Sequence, residues 1–138
     1  MLGKILNPLS EPAYAILRFF TGAMFAFHGA QKLLGVLGAP KPEIGSQMWF
    51  GGLIELLCGT AIAVGFLTPW AAFLSSGTMA VAYLQFHWKL QFTSMIFPAL
   101  NQGELALVYS LLFLFIACKG AGLCSVDRRL QNARQRRS

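Results

Sequence analysis

Charge is scarce in this sequence. Only 12% of its 138 residues are Asp, Glu, Lys or Arg, where a soluble domain carries roughly 25%. A small water-soluble globule needs polar side chains to cover its surface, so that class is excluded. Acids are scarcest, with five against eleven basic residues, for a net charge of +6. Cysteine is rare and odd in number. Cys58, Cys118 and Cys124 form no CxxC pair, which excludes a disulfide framework and a thiolate metal site. They are expected to be small buried hydrophobes. Internal repeats and low-complexity segments are absent. What the chain has is apolar residues, at 56%, and a mean hydropathy of +0.58. The remaining class is a small, single-domain, integral membrane protein.

A bilayer core of roughly 30 Å takes about 20 helical residues. Four segments reach or approach that length: 13–34, 48–67, 69–88 and 103–120. The last has an apolar run, Leu105 to Cys118, that reaches spanning length only with its interfacial flanks. Ser10-Glu11-Pro12 reads as a helix start with Ser10 as N-cap. Gly35 to Gly45 reads as a loop, and Thr68-Pro69 as a tight link that makes spans two and three an antiparallel hairpin. Phe92 to Leu100 is too short to span and is expected to be interfacial or re-entrant. The fold expected is an all-α, antiparallel four-helix membrane bundle over 1–127, with a basic, disordered tail over 128–138. Arg18 and His28 interrupt the first apolar run, so a cleavable signal peptide is not expected.

Six of the eleven basic residues lie at or beyond Lys119: Lys119, Arg128, Arg129, Arg134, Arg136 and Arg137. Basic residues accumulate on the cytoplasmic side of multi-pass proteins. The expected placement is therefore the cell membrane, with both termini inside. Aromatics sit in the apolar segments rather than among the basic residues, so nucleic acid is not an expected partner. The expected partner is the lipid bilayer, and a soluble redox partner or a homo-oligomer is compatible with it.

Ionisable groups inside spans are costly and mark function or internal pairing. His28, Glu55, His87 and Glu104 fall toward the outer end of the four spans, with Gln31 and Lys32 one turn beyond His28. Arg18, Thr21, Phe25, His28 and Lys32 share one helical face. So do Ser76, Ala80, Tyr83 and His87, and so do Gly52, Glu55, Gly59 and Ile62. The small residues of that last face predict close packing on a neighbour. Two readings stay open for Glu55: neutralising Lys32 or bonding His28, or forming part of a ligand or proton site. Arg18 is expected to be structural, snorkelling or paired with Glu11 or Asp127. His28 and His87 as haem ligands, or a His/Glu metal site, have no supporting motif.

These residues carry a resemblance. His28-Gly29-Ala30-Gln31-Lys32-Leu33 resembles the HGxxKL signature of the DoxX family. Gly51-Gly52-Leu53-Ile54-Glu55 resembles its second-helix GGxxE. Met79-Ala80-Val81-Ala82-Tyr83 with His87 is similar to its third helix, and Asn101-Gln102-Gly103-Glu104-Leu105-Ala106 to the start of its fourth. Gly120-Ala121-Gly122 with Ser125-Val126-Asp127 resembles its C-terminal motif. The resemblance runs from Arg18 to Asp127 and departs at Cys124, where a bulky residue is common. It implies a four-helix membrane protein and a place in quinone-linked or thiol-linked redox systems, as an oxidoreductase subunit.

The expected function is a membrane subunit that binds a quinone or similar small molecule in a polar site in the outer half of the bundle. His28 and Glu55 would handle protons there, His being suited because its charge changes near neutral pH. Lys32, Gln31, Tyr83, His87 and Glu104 would contact the ligand, with Arg18 and Asp127 as structural polar residues and no metal. The sequence carries no flavin, haem or iron–sulfur motif. Electron transfer would therefore need the quinone itself or a redox partner. The alternative is a non-catalytic membrane anchor or assembly factor that holds a soluble enzyme through the basic tail.

Overall fold

The structure, a computed structural model, describes residues 2–136. Those residues are helical between loops, with no strand. A short helix α1 (Leu2–Leu6) and a 3-10 turn (Asn7–Leu9) run directly into α2 (Ser10–Leu34). Helices α3 (Gln47–Val64), α4 (Thr68–Ala82), α5 (Pro98–Asn101), α6 (Glu104–Lys119) and α7 (Val126–Gln135) follow. The chain is therefore all-α, and α2, α3, α4 and α6 fall where the four long apolar segments lie.

Several expectations need correction. Ser10 does not cap α2: the chain before it is already helical, and the Ser10 hydroxyl donates to Asn7 O at 2.8 Å. The third long helix leaves α-geometry at Ala82 and continues as a π-helical turn over Tyr83–Trp88. The segment 92–100 folds as a 3-10 turn (Ser94–Ile96) leading to α5. The tail expected to be disordered from residue 128 is helical through Gln135; its last two residues lie outside the described ones. Helix α7 starts on Ser125, whose hydroxyl accepts from Arg128 N. Only Cys58 is partly buried, and Cys118 and Cys124 are exposed.

The four long helices pack as two antiparallel pairs. Helix α2 lies on α3 over the most extensive contact, and α4 lies on α6. On α3 the face Gly52, Glu55, Gly59 and Ile62 is buried throughout, as its spacing predicts. The approach is closest at Gly22, Gly29 and Gly59. A Cβ on Gly22 would sit 2.5 Å from Ala63 N, and one on Gly59 would strike the Ala26 backbone. The second pair is knitted by a reciprocal exchange: Ser76 Oγ donates to Ser110 O at 2.8 Å, and Ser110 Oγ to Ser76 O at 3.1 Å. Between the pairs lies an aromatic layer in which Phe25 meets Phe113 at a ring-centroid distance of 4.6 Å and Tyr109 at 5.6 Å.

The outward faces are apolar. Phe19, Phe20 and Met24 on α2, and Leu105, Val108, Leu111 and Phe115 on α6, are all exposed. Among the described residues one helix, α3, is by itself long and apolar enough to cross a membrane.

The glycine contacts give a stability prediction. Gly59→Ala must push α2 and α3 apart, because its neighbour is backbone, and overpacking of this kind costs about 1–3 kcal/mol. Gly52→Ala meets only Lys32 Cβ at 3.1 Å and Leu33 side-chain atoms, so its cost should be smaller. Gly51→Ala meets nothing within 4 Å and should be neutral or stabilising by up to about 1 kcal/mol, as alanine is the better helix former. Melting of the three variants in detergent gives the ranking; equal melting temperatures for Gly59→Ala and Gly51→Ala would refute the close approach.

Candidate functional site

Two polar centres lie at opposite ends of the helices. At the end shared by the start of α2 and the close of α6, Arg18 is buried to 1% exposure. Its Nη1 donates to Ile62 O at 2.5 Å and Ala63 O at 2.8 Å, and its Nη2 to Cys124 O at 3.0 Å and Leu123 O at 3.3 Å. The first two are last-turn carbonyls of α3, of which Ile62 O also accepts from Gly65 N at 3.1 Å, and a helix C-terminus favours a cation. Arg18 therefore neither snorkels nor pairs with a carboxylate. Glu11 instead pairs with Lys119 at 2.7 Å. Asp127 accepts from Leu67 N at 2.8 Å and Thr68 N at 3.0 Å, so it caps α4 from a distant part of the chain. This also holds Leu67 in the left-handed region, at φ 46, which a branched residue enters only under constraint. Gly65 turns the α3–α4 link at φ 74 and lies against both Arg18 and Ser125. Tyr14 closes the cluster by donating to Gly120 O at 2.5 Å.

The other centre contains most of the candidate residues. Lys32 Nζ and Glu55 Oε1 form an ion pair at 2.5 Å. The Lys32 side chain is 32% exposed and that of Glu55 only 6%. The second carboxylate oxygen, Oε2, is buried with no hydrogen-bond partner, an arrangement that calls for an explanation. Both residues line a cleft of about 990 Å³ between α3 and α4, and His87 lines it too. The remaining wall is mostly apolar and includes Phe50, Ile54, Trp70, Phe73 and Phe86. At 1.5 Å per residue the wall from Trp70 to His87 is about 25 Å long. A Gln47–Gln85 hydrogen bond of 2.5 Å joins α3 to the π-helical turn at the polar end.

Four candidates stand outside the cleft wall. His28 makes no hydrogen bond to Glu55; its ring meets Tyr109 edge-on at 6.5 Å, inside the aromatic layer. Tyr83 is buried and sits within hydrogen-bond reach of Ile96 O and Asn101 Nδ2 at 3.4 Å. Gln31 is half-buried and Glu104 exposed, and neither lines the cleft. Among the described residues no group of His, Cys, Asp and Glu side chains is arranged to hold a metal ion.

The sequence did not single out Asn101. It is 7% exposed and connects the loop to the cleft. Its Nδ2 donates to Met95 O at 2.8 Å and its Oδ1 accepts from Gly103 N at 2.7 Å. Its backbone O lies 3.3 Å from His87 Nδ1. The signal available was its place before Gly103 and α6, where an Asn side chain caps local backbone.

Comparison with known proteins agrees with the motifs. The DoxX family profile matches residues 13–88, covering α2, α3, α4 and the π-helical turn. An "Uncharacterized protein" of Haemophilus influenzae is 36% identical over 125 residues, spanning 83% of this chain and 88% of its own. No solved structure matches significantly. The family match over more than half the chain, together with that near full-length relative, shows that this protein belongs to the DoxX family.

Proposed function

We propose that this protein is a four-span cell-membrane protein, with both termini cytoplasmic, that binds a quinone in the α3–α4 cleft as part of a redox system. Membership of a generally membrane-associated family supports the membrane placement. The apolar outward faces of α2 and α6 support it as well, since so much exposed apolar surface is costly in water and not in lipid. Helices α4 and α6 reach spanning length with the π-helical turn and with their flanking residues. The basic residues of α7 support the orientation with both termini cytoplasmic.

The observation that carries the ligand reading is the buried, unpartnered Oε2 of Glu55 in the wall of a long apolar cleft. A buried polar atom left without a bond costs roughly 1–3 kcal/mol. A ligand hydroxyl or protonated carbonyl oxygen can supply that bond. The cleft places polar groups at one end and hydrocarbon walls along the rest. This matches a molecule with a polar ring and an isoprenoid tail. Lys32 pairs with Glu55 Oε1, Glu55 Oε2 accepts a hydrogen bond from the ligand, and His87 lines the same polar end of the cleft. His28, half-buried against Tyr109 and outside the cleft wall, takes no part in this reading. A bound quinone would supply the electron chemistry.

The test is mass spectrometry of small molecules extracted from the protein purified out of its own membranes. An isoprenoid quinone should co-purify near one per chain. Protein that comes through ligand-free but bound to a soluble enzyme would replace this reading with that of an anchor.

A further inference from the structure

A second cavity, of about 690 Å³, lies between α7 and the α3–α4 link, at the end of the cleft away from Lys32 and Glu55, with Trp70 lining both. Its two sides differ in chemistry. Phe66, Leu67 and Trp70 form one side, and Lys119, Arg128 and Arg134 the other. The three apolar residues are exposed, Trp70 to 76%. Asp127 is the acid in the lining, and both its oxygens are already engaged by the Leu67 and Thr68 N–H groups. Lys119 is neutralised by Glu11. Among the described residues no hydrogen bond or ion pair engages the guanidinium of Arg128 or Arg134. Two arginines six residues apart on α7, about one and two-thirds turns, therefore line a cavity whose opposite wall is aromatic and aliphatic. Arginine matches phosphate oxygens in a bidentate way, and tryptophan favours the headgroup level of a bilayer.

We infer that this cavity is a binding site for an anionic glycerophospholipid. The phosphate lies on Arg128 and Arg134, and the acyl chains run out along Phe66 and Trp70. The inference rests on the membrane placement above, which sets this end at the cytoplasmic headgroup layer, where anionic lipids attract basic segments. Charge complementarity alone would also suit free phosphate. The apolar wall is what selects a lipid. Because α7 is attached to the α3–α4 link through Asp127 and Arg18, the site is part of the folded body.

The full chain in neutral detergent is titrated with phosphatidylglycerol or phosphatidylcholine and analysed by native mass spectrometry. One phosphatidylglycerol should be retained preferentially. Arg128→Gln/Arg134→Gln should weaken its retention roughly tenfold or more, at about 1 kcal/mol per basic residue near such a surface. Arg129→Gln, on a residue outside the cavity lining, should leave it unchanged. An unchanged melting temperature of the double variant without lipid shows that it folds. Equal retention of both lipids, or an equal loss in Arg129→Gln, would overturn the site in favour of diffuse charge. Displacement by millimolar inorganic phosphate would assign it to a free anion, and displacement by an acidic soluble protein to a protein partner. Failure of the membrane reading shows separately, as protein that leaves the membrane without detergent.

Discussion

Arg18→Ala should lower the stability of the purified protein by at least about 3 kcal/mol, since hydrogen bonds from a charged donor contribute roughly 1.5–3 kcal/mol each and four carbonyls lose theirs together. The guanidinium joins α2, the last turn of α3 and the loop, at Leu123 and Cys124, that leads into α7 and Asp127. Once it is gone, Ala63 O loses its side-chain donor, Ile62 O keeps only Gly65 N, and the 120–125 loop is left with the Tyr14 bond to Gly120 O as its hold on α2. Asp127 then caps α4 less often, and Leu67 is no longer held in its left-handed conformation. Trypsin should cut after Arg128 and Arg129 much faster in the variant than in the parent. Arg18→Lys should recover little, because one ammonium cannot reach both carbonyl pairs in the planar geometry of the guanidinium. A variant with the parent's melting temperature and proteolysis rate would show that the loop holds without Arg18.

That arrangement shows what the sequence could and could not reveal. Arg18 sits on a face with Thr21 and Phe25, and the period of that face alone places it inside the bundle. The same holds for Glu55 between Gly52 and Gly59. Periodicity sets burial, and burial sets the helix pairs. The partners of Arg18 were not legible because they are backbone carbonyls more than forty residues away, and backbone atoms leave no mark in a side-chain pattern. The tail failed for a related reason. Its composition, Val126-Asp127-Arg128-Arg129-Leu130 onward, has too few apolar residues for a packed helix. Ser125, Asp127 and the α3–α4 link hold its start by capping and contact instead. The third long apolar segment hid its π-helical turn because Tyr83 to Trp88 keeps an apolar and aromatic pattern that either helix type accepts. The aromatic neighbour of His28, Tyr109, comes from α6, whose rotation no motif fixes.

Glu55→Gln should separate a ligand site from a structural lock at the cleft. The substitution keeps the shape of the side chain and its capacity to bond, and removes the negative charge. In the parent, one oxygen is committed to Lys32 and the other is buried and unpartnered. If Oε2 binds the ligand, the variant loses a charge-assisted bond, a loss of roughly 1.5–3 kcal/mol, or about tenfold to hundredfold in retention of co-purified quinone. Stability should change by no more than about 1 kcal/mol, since Lys32 is a third exposed and regains water when its partner is neutral. If the pair only locks α2 to α3, the order reverses: melting falls and retention stays. Lys32→Gln is the complementary measurement. It leaves the buried Glu55 carboxylate without its ion-pair partner and should weaken binding in the same direction as Glu55→Gln. A double variant no worse than either single one would show that the two residues act as one unit. Unchanged retention in all three, with the fold intact, would remove Glu55 from the ligand site and leave His87 to account for the polar end of the cleft.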